Sequence, residues 1–156
     1  WYNKPIIILS VQSNEEDIVK ALDSGANDYL VKPFRTGELL ARIRSSMRRA
    51  ITENEPIIDC GDLVIDLAAR TITKNEERIK LTSTEYSLLA LMAKNEGKVL
   101  THHYLLKEIW GPTYQQESQY LRVFIAQLRK KIETDPNQSR HIITEPGVGY
   151  RFIAKD

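Results

Sequence analysis

An α/β segment joined to a small α+β domain is what these 156 residues encode. Over residues 1–50, short continuous apolar runs alternate with amphipathic helical stretches, as strands and helices do around a parallel sheet. From residue 57 the pattern changes to four short β-type runs, then three helical stretches, then two β-type runs around a Pro-Gly turn. Composition sets the bounds: 42% hydrophobic and 28% charged residues are of globular type. No apolar run reaches the roughly 18 residues of a membrane span. The single Cys60 leaves no internal disulfide framework, so a reducing, cytoplasmic setting is expected. A formal net charge of +1 means that any nucleic-acid footprint is local.

The first segment opens with PIIILS, residues 5–10, which reads as a strand buried on both faces. Asn14 is placed to cap a helix whose first turn is acidic (Glu15, Glu16, Asp17) and whose buried face is Ile18, Ala21 and Leu22. Gly25 ends that helix. DYLV, residues 28–31, is the second strand. Thr36 is expected to cap a helix running to Ala50, with Leu39, Leu40, Ile43 and Met47 on its apolar side. Two parallel strands cannot bury their own faces, so the expectation is a partial, doubly wound α/β domain lacking its first half. ITENEP, residues 51–56, reads as a linker because it is polar and ends in proline.

Residues 57–156 form the second domain. Runs at 57–60, 63–67, 70–74 and 78–81 are separated by turn residues and predict an antiparallel meander. Thr82-Ser83-Thr84-Glu85 is a capping box before a helix that Gly97 stops. Thr101 caps a helix ending at Gly111-Pro112. Residues 118–132, SQYLRVFIAQLRKKI, form the third helix. Leu121, Ile125, Leu128 and Ile132 recur at helical spacing and predict one buried stripe. The charges from Ser118 to Lys131 are Arg122, Arg129, Lys130 and Lys131, all positive. Small Val123 and Ala126 with the Gln127 amide complete a face suited to a DNA major groove. Residues 141–144 and 150–153 are strands joined by a hairpin tip. A helix-turn-helix followed by a hairpin is a winged helix-turn-helix, with the last helix in the groove and the hairpin beside it.

LTSTEYSLLALMAKNEGKVLT, LLKEIWG, LRVFIAQLRKKIE and ITEPGVGYRF resemble the effector domain of OmpR/PhoB-type response regulators. PIIILS, ALDSGANDYLVKPF and GELLARIR are similar to the second half of their receiver domain. Within the family, the WGP turn and the SQYLR opening look most like regulators of potassium-transport operons. The resemblance implies phosphorylation-controlled transcription: a sensor histidine kinase phosphorylates an aspartate in the first half of the receiver, where Mg²⁺ is also held. On the response side, Ser10 and Lys32 match the groups that meet the phosphoryl oxygens. Tyr29 matches the aromatic that turns inward, and Pro33 is expected to follow a cis peptide.

The family dimerises on activation, which implies Asp28 pairing with Arg42, and Asp23 with Arg44, across a twofold axis. Val19, Leu22 and Ala41 would be the apolar centre. Ile18 stands where many relatives carry a lysine opposite the position of Glu38. On double-stranded DNA carrying direct repeats, Gln119, Tyr120, Arg122, Val123, Ala126 and Gln127 are expected to face the groove, and Arg129 and Lys130 the phosphates. Thr144, Tyr150 and Arg151 would touch the backbone from the wing, whose tip has Pro146 where some relatives have arginine. Trp110 is expected to pack two helices together. Residues 113–116 match the loop that relatives offer to RNA polymerase.

Two other classes compete. For an enzyme, the sequence offers adjacent His102 and His103, which point about 100° apart on a helix and cannot chelate together. It has no Gly-rich phosphate loop and no nucleophile elbow, so no catalytic activity is expected. A dimerisation module without DNA binding is the second alternative, and the basic face of the last helix argues against it.

Overall fold

The structure is a computed structural model that describes residues 6–10, 15–52, 56–114 and 117–154. The expected Asn14 cap, and residues 115–116 of the loop, lie outside the described residues, as do the side chains of Ser10 and Met47.

In the first unit, β1 (Ile7–Ser10) pairs in parallel with β2 (Asp28–Val31), and α1 (Glu15–Asp23) and α2 (Thr36–Thr52) pack around them. The order strand, helix, strand, helix is as the periodicity requires. Three details differ. The β1 run is only partly covered, since Ile6 and Leu9 stay 43% and 45% exposed. Leu40 and Ile43 on α2 also remain open to solvent. Two strands bury no second face, so the apolar residues that a larger sheet would cover stay at the surface. Thr36 lies inside α2 rather than before it, because the Arg35 carbonyl accepts the first helical bonds from Glu38 and Leu39. Helix α2 also runs through Ile51 and Thr52, which the sequence assigns to a linker. These residues have ordinary helical propensity and continue the last turn.

The second unit begins with the meander β3 (Ile57–Cys60), β4 (Leu63–Asp66), β5 (Thr71–Lys74) and β6 (Glu77–Ile79), antiparallel throughout. Helix α3 (Ser83–Lys94) follows its capping box. The Thr82 hydroxyl accepts from the Glu85 N–H at 3.2 Å, and the Glu85 carboxylate accepts from the Thr82 N–H at 2.9 Å. Strand β7 (Val99–Thr101) leads into α4 (His102–Trp110), where the Thr101 hydroxyl caps the Tyr104 N–H at 3.1 Å. Gly111 turns the chain at φ 106°, a conformation that suits a residue without Cβ. A 3-10 turn, Pro112–Tyr114, precedes α5 (Ser118–Ile132). The hairpin is β8 (Ile142–Glu145) and β9 (Gly149–Phe152).

Strand β7 is more than a brief extension of chain. It pairs with β9, so the wing is a three-stranded sheet in the order β7-β9-β8. Leu121, Ile125, Leu128 and Ile132 are all buried, as their spacing predicts, in a core shared with Leu88, Leu89, Met92, Leu105, Leu106 and Phe152.

Candidate nucleic-acid interface

The burial of one stripe of α5 leaves its opposite face in solvent. Gln119, Tyr120, Arg122, Val123, Ala126, Gln127 and Lys130 are exposed, with Tyr120 at 50% and Val123 at 46%. That face presents two cations, an amide, a phenol and two small apolar groups, the set that can grip phosphate and read base edges. No acidic residue lies within α5, and Arg129, Lys130 and Lys131 fill its last turn, where they also complement the helix dipole.

The helix is held at both ends. At its start, Trp110 packs edge-on against Phe124 with ring centres 5.1 Å apart and sits 6.2 Å from Tyr120, which also meets Tyr114 edge-on. Trp110 therefore packs α4 against α5, as expected. At its end, Glu133 is buried, and its carboxylate accepts the backbone N–H groups of Arg140, His141 and Ile142 at 2.9–3.2 Å. Those are the residues that lead into β8. Lys131 Nζ reaches the buried Glu85 carboxylate at 2.6 Å and ties α5 to the start of α3. Burial opposes the charged form of Glu85, but the bonds from Lys131 and Thr82 outweigh it and hold the carboxyl below its usual range. Sequence reasoning found the Glu85 cap but not Lys131 or Glu133. These partners are far apart in the chain, and nothing local marks them.

Four expected DNA contacts come out differently. Arg129 is half-buried, and its Nη2 donates to the Ile142 carbonyl at 3.0 Å and to the Thr144 hydroxyl at 2.7 Å. In this structure it braces α5 against the wing, and the Thr144 hydroxyl is spent on that brace. Tyr150 is 6% exposed, with His102 edge-on to its ring and the Arg129 guanidinium 5.9 Å above it. Burial pushes the Tyr150 phenol up and the His102 imidazole down, the latter with help from His103 and Arg122. Arg151 is also 6% exposed and faces the first unit, not solvent. Its Nη1 and Nη2 donate to the Asp28 carboxylate at 2.6 and 2.8 Å, and its Nε donates to Glu145 at 2.9 Å. Burial works against the charged guanidinium, but the Asp28 and Glu145 carboxylates overcome it and raise its pKa. The physical reason for these departures is that strand β9 is central in its sheet and covered by the first unit.

The expected dimer face lies at that same junction. Asp28 does pair with Arg42, at 2.9 Å, but within one chain. Leu22 is buried with Ile18 and Ala26 against Val99 and Val148, and Val19 packs at the edge of this cluster. Asp23 accepts the Thr101 hydroxyl at 2.6 Å instead of meeting Arg44, which is exposed. Glu38 and Ala41 are exposed, and Glu38 approaches Arg42 one turn on at 3.6 Å. The cover comes from β7 and the hairpin, which the sequence does not show to be adjacent.

Of the phosphorylation-switch residues, Ser10 ends β1 and Lys32 and Pro33 are exposed, with a cis peptide between the latter two. Tyr29 is half-buried, and its hydroxyl donates to Glu145 at 3.4 Å. Burial and the neighbouring Glu145 charge raise its pKa.

A receiver-type α/β unit fused to a winged helix with an open basic helix is the architecture of a DNA-binding transcriptional response regulator. Residues 75–152, half of the chain, match the family described as transcriptional regulatory protein, C terminal, and residues 1–44 match the response regulator receiver domain. The chain belongs to the OmpR/PhoB-type response regulators. It is 49% identical to the KDP operon transcriptional regulatory protein KdpE of Escherichia coli over 155 residues, covering 98% of this chain and 69% of that protein. The response regulator DrrB of Thermotoga maritima, an OmpR/PhoB homologue, superposes with a TM-score of 0.58 at 37% identity, covering 96% of this chain and 66% of that one. The DNA-binding domain of RstA from Klebsiella pneumoniae, solved in complex with the RstA box, superposes with a TM-score of 0.58 at 28% identity, covering 63% of this chain and 97% of that one. Among the described residues, no helix is long and apolar enough to cross a membrane.

Proposed function

We propose that the chain regulates a potassium-uptake operon from the cytoplasm, binding direct repeats in promoter DNA as a homodimer. The name of the Escherichia coli relative supports the potassium assignment. On this reading a KdpD-type sensor histidine kinase supplies the phosphoryl group. The acceptor aspartate and its Mg²⁺ belong to the part of the relatives that this chain does not cover. Ser10, Tyr29, Lys32 and Pro33 respond to phosphorylation, and residues 113–116 offer a surface to RNA polymerase.

The observation that carries DNA binding is the exposed face of α5, where Arg122 stands beside Val123, Ala126 and Gln127. The test is titration of a direct-repeat promoter duplex and a scrambled duplex over a range of salt. The expected result is preference for the repeat, a steep loss of affinity with salt, and a loss of about 1–3 kcal/mol in Arg122→Ala. Equal affinity for both duplexes in the wild type and the variant would leave a dimerisation module without sequence reading.

A further inference from the structure

We infer that Arg151 is an intramolecular latch that holds the α1–β2–α2 face against the chain's own wing, so that the same face is withheld from a second copy until the latch opens. This rests on the dimer proposed above. Asp28 belongs to the first unit and Arg151 to the second, 123 residues apart, and they are 1% and 6% exposed. A buried ion pair is tolerated only when its remaining donors and acceptors are met. Here they are. Each Arg151 side-chain nitrogen donates: Nη1 to Asp28 and to the Gly97 carbonyl at 3.0 Å, Nη2 to Asp28, and Nε to Glu145. Asp28 also takes the Arg42 Nη1 at 2.9 and 3.0 Å, so one carboxylate lies between two guanidinium groups from different units.

The contacts around the latch occupy the rest of the face. Leu22 is covered by Val99 and Val148, Asp23 is bonded to Thr101, and the Val99 N–H donates to the Asn27 carbonyl at 3.1 Å. A second copy would need Leu22, Asp23 and Asp28 free of the wing. The closed chain and the twofold dimer are therefore mutually exclusive.

The latch role and a DNA-contact role for Arg151 predict opposite signs. The experiment compares the whole chain with Arg151→Ala. It measures hydrogen exchange at the Val99 amide, self-association by sedimentation, and affinity for a mixed-sequence duplex of about 30 base pairs. The latch predicts Val99 exchange faster by about tenfold or more, a larger dimer fraction, and duplex affinity equal or higher. Unchanged Val99 protection, or lower duplex affinity with Val99 still protected, overturns it. Arg151→Met keeps the apolar stem and replaces the alanine variant if circular dichroism shows that variant unfolded. Thr101→Val removes the Asp23 contact from the other side and must speed Val99 exchange too. Faster Val99 exchange without self-association would keep the latch and remove the dimer.

Discussion

The two units use the same kind of apolar pattern and obtain cover for it from different sources. In the second unit, α3, α4, α5 and the wing sheet bury one another, and Leu88, Leu89, Leu105, Leu106, Leu121 and Leu128 are sealed completely. In the first, Ile18, Leu22 and Ala26 are buried largely because Val99 and Val148 of the other unit lie on them, while Ile6, Leu9, Leu40 and Ile43 stay exposed. Periodicity identifies the face that seeks cover. It does not say what supplies the cover.

The sharpest way to break this comparison is in the second core. Leu121→Ala is expected to cost about 2–5 kcal/mol, read by urea unfolding, because the sealed site cannot collapse around the deletion. Leu22→Ala, at the junction, should cost about 1–3 kcal/mol of the same transition, since its cover is shared by only a few side chains. A cost equal to that of Leu121→Ala would mean that the two units form one core.

Glu85→Gln probes the tie between α3 and α5 and should cost about 1 kcal/mol near neutral pH. The folded-state pKa of Glu85 lies below its ordinary value of 4.5, so its stabilisation is present above that value and lost as pH falls through the folded pKa. Thermal melts of the variant and the wild type should therefore converge on acidification. A gap that persists at low pH would assign the effect to packing instead of charge. The smallest effect belongs to Leu40→Ser, which should shift stability by less than about 0.5 kcal/mol because the side chain is 48% exposed. A loss comparable to Leu22→Ala would mean that α2 is covered in solution.

Local features were the legible part of this molecule. The α5 stripe, the Thr82–Glu85 box, the Thr101 cap and the meander each depend on residues a few positions apart, and each is where the spacing places it. The exposed α5 face follows from the same periodicity. Arg151, Tyr150 and Asp28 were legible only as residue types, because their partners lie about 50 to 120 residues away. The same holds for Glu133, whose three N–H partners come from the strand that α5 approaches only after folding.

Glu133 and Arg129 together fasten the end of α5 to β8 by its backbone and by Thr144. The helix and the hairpin are thus two arms of a caliper with a fixed opening. Duplexes of different groove width meet a gauge that does not adjust, and the distortion needed for contact falls on the DNA. Discrimination among sites can then include how readily a sequence deforms, at base pairs that no side chain touches.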